Sequence, residues 1–269
     1  MSGERAGTGR ALRLSVDLNA DVGEATDEEG IAVERALLGS VTSVHVACGG
    51  HAGDAASMEA TVRAALAAGV RVGAHPSYPD RDGFGRRPLE IAPDELASSL
   101  RTQIGSLLSV AHACGTTVHS VKAHGALYAE VAAGEVAYRA LVGAVTEMCP
   151  PGTALVVRAG SPAVALARAA GVTVWAEGFC DRAYGSNGEL VARQVAGAVY
   201  DDPAPAVRQA LSLARQGTVE LADGAPRRVH VDTLCLHGDS PNAAAMAAAV
   251  RAALEADGIE VAAASLPRG

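Results

Sequence analysis

Seven times along the chain a short apolar run breaks off into a cluster of polar and glycine residues, and a stretch of helical periodicity follows before the next run begins. The runs cover 12–18, 41–47, 70–74, 117–121, 154–157, 173–176 and 233–236, each the length of a buried strand, and 260–264 reads as a short last one. Between them, Met58, Val62, Ala65 and Leu66 share one helical face, and Leu96, Leu100, Ile104, Leu107, Leu108 and Ala111 form another stripe behind Asp94 and Glu95. Further helices are predicted over 27–38, 135–148, 162–170, 205–216 and 241–257, and Asp223-Gly224 marks a hairpin that interrupts the rhythm. Strands that alternate with helices pair in parallel, because each crossover returns the chain to start the next strand in the same sense.

Such a sheet is either open and doubly wound or closed into a barrel. An open sheet gathers its ligand contacts around one switch point, whereas a barrel brings every strand's C-terminal end to one face. Here at least five strands end in polar signatures, which predicts a distorted seven-stranded β/α barrel. It would occupy 11–269 as a single domain. The polar, glycine-rich stretch 1–10 reads as a disordered tail without the apolar segment of a signal peptide.

Hydrophobic residues make up 49% of the 269 and aromatics only 3%, so the core must be Ala, Val and Leu packed closely, as suits helices on a sheet. A net charge of −8 supplies no basic stripe for nucleic acid and argues against anionic membranes, and no apolar run reaches spanning length. A small-molecule substrate fits better. Five cysteines without a CxxC pair suggest reduced thiols and a cytoplasmic location. Among 22 basic residues only Lys122 is lysine, which singles it out in a chain that otherwise uses arginine.

The polar signatures carry the chemistry. In 17–24, DLNADVGE, the residues Asp17, Asn19 and Asp21 alternate and so face one side of an extended chain, a set that suits a divalent metal or an oriented water. Glu24 adds a carboxylate that no turn requires. In 48–54, CGGHAGD, Asp54 reads as a helix N-cap, Cys48 as packing before it reads as a nucleophile, and His51 has no structural excuse. His45 reads as a lining residue within its strand. The 72–87 stretch, VGAHPSYPDRDGFGRR, stops a strand at His75-Pro76 and then crowds Asp80, Arg81, Asp82, Arg86 and Arg87 among glycines. In 122–128, KAHGALY, Lys122 and His124 lie on one side, a fixed cation beside an imidazole. Glu177, Asp181 and Arg182 end a later strand, with an Asp181–Arg182 ion pair as the plain alternative. His237 and Asp239 follow the 233–236 run, where Ser240-Pro241 already supplies a helix start.

These six signatures resemble, in order and spacing, those of the LamB/YcsF family, from about Asp17 to the C-terminus. Ala123 stands where that family usually has Pro, Cys180 where it has Ala, and His45 where Asn is commoner. The resemblance implies a barrel of the glycoside hydrolase/deacetylase type, a cytoplasmic protein, and ATP-dependent opening of 5-oxo-L-proline to L-glutamate together with separate 5-oxoprolinase subunits B and C. An unstrained lactam yields slowly to water, so phosphorylation of its oxygen by ATP, with Mg as counter-ion, would make a leaving group. That chemistry assigns phosphate contacts to Lys122, Arg86 and Arg87, proton transfer to His75 and His124, and water or metal to Asp17 and Asp21. Asn19, Glu177, Asp181, Arg182, His237 and Asp239 complete the expected substrate contacts. No GxxxxGK[ST] motif is present to hold a nucleotide.

The rival reading is a metal-dependent deacetylase or amidase that acts on a sugar or small amide without ATP, with Asp17, His51 and His75 as ligands. Because Asp17, Asp21, His51 and His75 lack the tight spacing of a structural site, any metal bound by them is expected to be weak or absent. A non-catalytic binding or regulatory subunit is the third option, against which so many ionisable residues on one face argue.

Overall fold

The computed structural model describes residues 14–134, 136–238 and 242–264. The expected tail at 1–10, the helix start at Glu135, and Asp239 with Ser240 and Pro241 lie outside the described residues. In chain order the elements are β1 (Ser15–Val22), α1 (Glu28–Leu37), β2 (Ser43–Ala47), α2 (Ala55–Ala67), β3 (Arg71–His75), α3 (Pro93–Ala113), β4 (Ser120–Lys122), α4 (Gly125–Ala133) and α5 (Val136–Met148). They continue as β5 (Ala154–Arg158), α6 (Pro162–Ala169), β6 (Val174–Phe179), α7 (Pro203–Leu211), β7 (Thr218–Glu220), β8 (Pro226–Arg228), β9 (Thr233–Leu236), α8 (Ala243–Ala256) and β10 (Glu260–Val261).

Strands β1 to β6 and then β9 pair side by side in parallel, and β9 pairs back onto β1 from Asp17↔Thr233 to Ala20↔Leu236. The sheet is therefore a closed seven-stranded barrel, as the strand-end signatures predict. The short β10 pairs with the start of β1 at Ser15 and Val16, below β9 on the same edge, and β7 with β8 forms the hairpin around Asp223-Gly224.

Alternation along each strand divides the chemistry in two. Leu18, Ala20 and Val22 of β1, Val44 and Val46 of β2, and Val72 and Ala74 of β3 belong to the main core, together with Val62 of α2 and Leu100, Ile104 and Leu107 of α3. The opposite set turns into the barrel and is polar over much of its height: Asp17, Asn19, Asp21, Ser43, His45, His75, Ser120, Lys122, Glu177 and Thr233 are all buried. Among the described residues, Ala154, Val156 and Trp175 make a small separate apolar cluster, with Ala264 packed against it. Stability thus resides mainly outside the barrel wall, and the polar residues are concentrated inside it.

Two elements differ from the sequence reading. The 122–128 signature is not a loop throughout, because α4 begins at Gly125 directly after β4; a nine-residue helix with no side-chain cap at His124 leaves little trace in sequence. The helix predicted over 205–216 is α-helical to Leu211 and then continues as a π-helical turn, Ser212–Gln216, ended by Gly217 in the left-handed region.

Candidate functional site

Strand β1 sets three levels within the barrel. At the lowest, the Asp17 carboxylate accepts from the hydroxyls of Thr42 and Ser43, each at 2.7 Å, and from that of Thr233. One level up, Asn19 donates to Thr233 Oγ1 at 2.7 Å and to Glu177 Oε1 at 3.0 Å. At the mouth lies Asp21. The Lys122 ammonium joins the upper two levels, with Nζ 2.8 Å from Asp21 Oδ1, 2.9 Å from Glu177 Oε1, 3.2 Å from Asn19 Oδ1 and 3.3 Å from Cys235 Sγ. Tyr128 of α4 donates to the other oxygen of Glu177 at 2.6 Å.

This order fixes the charges. Burial pushes the Asp21 carboxyl up, but His75 and Lys122 outweigh it and hold it well below the usual carboxylate range. Burial likewise disfavours the Lys122 ammonium, yet the carboxylates of Asp21 and Glu177 keep it charged far above neutrality. Asp17, with the hydroxyls of Thr42, Ser43 and Thr233 beside it, is raised by burial.

A second constellation stands next to Asp21 at the strand ends. Glu24 follows a turn at Gly23 that is fixed from below, because the Glu34 carboxylate on α1 accepts the backbone N–H groups of Gly23, Glu24 and Ala25 at 2.8, 2.9 and 2.9 Å. Glu24 Oε1 lies 2.8 Å from His51 Nε2, 3.1 Å from His124 Nδ1 and 3.7 Å from His75 Nε2. His51 and His124 stack with ring centroids 3.7 Å apart and planes 4° from parallel. The loop after β3 folds over the start of α4, where Gly125 (φ 58) leaves room that a Cβ would close, 2.4 Å from the Gly85 carbonyl. Phe84, itself at φ 53, thereby presents its carbonyl to His124 Nε2 at 2.9 Å. Burial lowers His51 to about 4 and lowers His124 as well, whereas His75, although buried, is raised by the Asp21 carboxylate 3.3 Å from its Nε2.

Asp21, Glu24, His75, Lys122, Arg86 and His237 all line a cleft of about 420 Å³ at the barrel mouth, within the usual range for small-molecule sites. Arg182 also lines it while donating to the carbonyls of Val191 and Ala198. His237 Nδ1 lies 2.9 Å from Asp181, which also accepts the His237 backbone N–H, so the ring is oriented with Nε2 as its remaining nitrogen. No Asp181–Arg182 ion pair is among the described contacts; the partner of Asp181 is His237.

Asp21, His51, His75, Lys122 and His124 are brought together as the sequence suggests, with Asn19 and Glu177 behind them. Two residues are not. Asp17, expected as a catalytic group and metal ligand beside His51 and His75, is taken up by hydroxyls at the lowest level. Arg87, expected at a phosphate, binds Asp80 through Nε at 3.0 Å with its side chain 62% exposed, while Arg86 beside it faces the cleft. Cys48 is buried with its thiol pushed up to about 12 by burial, which leaves it no nucleophilic thiolate. Glu34, Tyr128 and Cys235 are missed by sequence reasoning, and Glu24 is noticed there without a role. The sequence does carry a signal for Glu24, whose carboxylate exceeds what a turn needs; Glu34 sits on an ordinary helix and carries none.

The family profile that matches this chain, LamB/YcsF, covers residues 16–268. The 5-oxoprolinase A subunit of Paracidovorax citrulli is 47% identical over 246 residues, 91% of this chain and 98% of its own. A 5-oxoprolinase A subunit of Agrobacterium fabrum, numbered 1 in that organism, is 45% identical over 247 residues, 92% and 96% of the two chains. The crystal structure of a lactam utilization protein from Thermus thermophilus superposes with a TM-score of 0.84 at 42% identity, covering 93% of this chain and 99% of that one. A family 4 carbohydrate esterase from Streptomyces lividans, at TM-score 0.50 and 15% identity with 95% of each chain covered, shares the fold alone. With a profile match over nearly its whole length and relatives this similar, the chain belongs to the LamB/YcsF family.

Proposed function

We propose that the chain is the A component of a multi-subunit 5-oxoprolinase and opens 5-oxo-L-proline hydrolytically to L-glutamate at the barrel mouth, with ATP, its Mg counter-ion and separate B and C subunits. The observation that carries this reading is the near full-length similarity to chains named as 5-oxoprolinase A subunits. The cleft supports it with groups suited to an anionic lactam and a phosphoryl group. Arg86 supplies a cation at the wall, and Lys122 supplies a compact ammonium next to an ionised Asp21.

In this mechanism the γ-phosphoryl group of ATP passes to the lactam oxygen. Asp21 takes a proton from the attacking water, and Lys122 stabilises the oxygen that carries the negative charge. The ring nitrogen leaves as the amine after receiving a proton from His237, which Asp181 orients through Nδ1, and a second water hydrolyses the remaining glutamyl phosphate to L-glutamate and inorganic phosphate. His75 and His124, expected as proton carriers, each turn one ring nitrogen to a carboxylate, His75 Nε2 to Asp21 at 3.3 Å and His124 Nδ1 to Glu24 at 3.1 Å. Their other nitrogens are bound to backbone carbonyls, an arrangement for holding rather than shuttling. Localisation in the cytoplasm, where ATP is available, belongs to the same proposal; no helix among the described residues is long and apolar enough to cross a membrane.

The second reading, a metal-dependent amidase or deacetylase without ATP, is favoured by the convergence of Glu24, His51, His75 and His124. Glutamate release from 5-oxo-L-proline decides between them. The lone chain is expected to be inactive and to gain activity when B, C and ATP are added; turnover by the lone chain without nucleotide would instead establish the second reading.

A further inference from the structure

We infer that Glu24, His51, His75 and His124 form a centre for one divalent transition ion of the zinc class at the barrel mouth. The inference rests on donor geometry alone and stands under either reading of the reaction.

The first argument is the direction of lone pairs. His75 Nδ1 lies 2.8 Å from the Lys122 carbonyl, and His124 Nε2 lies 2.9 Å from the Phe84 carbonyl. A carbonyl only accepts, so both protons sit on those nitrogens. The other nitrogens, His75 Nε2 and His124 Nδ1, face each other at 3.1 Å, and His75 Nε2 also lies 3.3 Å from Asp21 Oδ2, whose charge favours a proton there when no ion is bound. The carboxylate oxygen Glu24 Oε1 faces the same point, 3.1 Å from His124 and 3.7 Å from His75. Three acceptors turned on one another repel unless a cation stands between them. A proton can bridge one pair; a metal ion satisfies all of them together.

The second argument is distance. Ligands held about 2.1 Å from a tetrahedral zinc ion lie roughly 3.4 Å from one another. The pairs among Glu24 Oε1, His51 Nε2, His75 Nε2 and His124 Nδ1 given above run from 2.8 to 3.7 Å, and all four atoms lie within 4.8 Å of one another. The third argument is support. Metal-bound imidazoles characteristically donate their second nitrogen to a carbonyl or carboxylate, as His75 and His124 do, and Glu34 pins the turn that carries Glu24. Three imidazoles against one carboxylate select a borderline transition ion over magnesium or calcium.

This ligand set replaces the one expected from sequence: Asp17 is absent from it, and Glu24 and His124 enter. The expectation of weak binding also changes, because residues far apart along the chain meet at neighbouring strand ends. A second group of donors, Asp21, Cys235 and His237, already has a cation, since the Lys122 ammonium lies 2.8 Å from Asp21 and 3.3 Å from Cys235. Facing the cleft, an ion at the first group would supply Lewis acidity beside Asp21.

The test is a titration of the purified full chain, stripped with a chelator, with cobalt(II) followed by calorimetry and visible absorption. One ion per chain with the intense bands of tetrahedral nitrogen and oxygen coordination is expected. Long-range proton–nitrogen NMR with zinc should shift His75 Nε2 and His124 Nδ1 and leave the protons on His75 Nδ1 and His124 Nε2 in place. Glu24→Gln and His51→Gln should each weaken binding by more than the roughly tenfold that loss of a supporting partner costs, and His237→Gln should not. Absence of stoichiometric binding by the unaltered chain would overturn the inference even if the variants misfold. So would unchanged affinity in both Glu24→Gln and His51→Gln, or loss confined to His237→Gln. None of these readouts depends on turnover, so a failed 5-oxoprolinase assay leaves them standing.

Discussion

Lys122 and Glu177 meet inside the barrel with 2.9 Å between Nζ and Oε1, the lysine 2% exposed at its side chain and the glutamate fully buried. This contact ties the one lysine of the chain to β6, two strands round the barrel, and Asp21 of β1 completes a buried charge triad. A guanidinium is larger and planar, so Lys122→Arg has no room for its fork among Asn19, Asp21, Glu177 and Cys235. We expect a rate loss on the order of a hundredfold. Sequence alone suggests that this variant keeps its fold intact, but the enclosed site adds an overpacking cost of about 1–3 kcal/mol. Reconstituted glutamate release and thermal melting measure the two effects, and full activity with an unchanged melt would remove Lys122 from the mechanism.

Glu34 accepts three consecutive backbone N–H groups, and Glu34→Gln turns part of that acceptor into a donor. Leaving buried donors unmatched costs about 1–3 kcal/mol. The variant should melt lower and bind cobalt more weakly, although residue 34 is not among the inferred ligands. Unaltered cobalt affinity would separate the turn from the centre.

Asp17 gives a pH signature. Burial raises its folded pKa above the unfolded value of about 3.9, so its contribution is most favourable below that value and is lost as pH rises through the folded pKa. As pH rises above about 4 the unfolded chain gives up this proton more readily than the fold does, so Asp17 works increasingly against the fold relative to a neutral amide. The melting temperature of Asp17→Asn minus that of the parent should be greatest near pH 7 and fall as pH approaches 4. A difference that grows in acid contradicts the assignment.

Cys48, Cys180 and Cys235 are buried, while Cys114 and Cys149 are partly exposed. A thiol reagent should modify at most the last two in the native protein. Cys48→Ser keeps an acceptor for the His75 backbone N–H, 3.3 Å from Sγ, and should retain activity. Abolished activity would reinstate a nucleophilic role.

Arg86 and Arg87 are neighbours with different duties. Arg86→Ala should raise KM by about tenfold or more, the size of a lost contact to a charged group. Arg87→Ala removes an exposed guanidinium from the buried Asp80, so it should lower the melting temperature and leave KM near the parent value.

The repeated apolar runs make the barrel legible, because a strand's length and its alternation survive in sequence. Alternation also puts Asp17, Asn19 and Asp21 on one side, but it gives side without depth. Four residues of parallel strand span roughly 13 Å, which is why Asp17 lies at a lower level while Asp21 reaches the mouth. His51, His75 and Lys122 stand out as polar residues at strand ends that no turn or cap requires. The meeting of Glu24 with His124 does not, since it depends on a loop at Phe84 and Gly85 folding back over the start of α4. Arg87 misleads for a similar reason: adjacency in a loop says nothing of direction.

The small apolar cluster of Ala154, Val156 and Trp175, with Ala264 against it, gives the protein a built-in optical probe. Trp175 is the only tryptophan in the chain, and it is 3% exposed inside the wall that β5 and β6 form. Its indole emission therefore samples one location, where the C-terminal segment covers the end of the barrel away from the cleft. Loosening of that segment would redden the fluorescence while helical circular dichroism persists, so the two signals together distinguish opening of the barrel's closed end from loss of the surrounding helices.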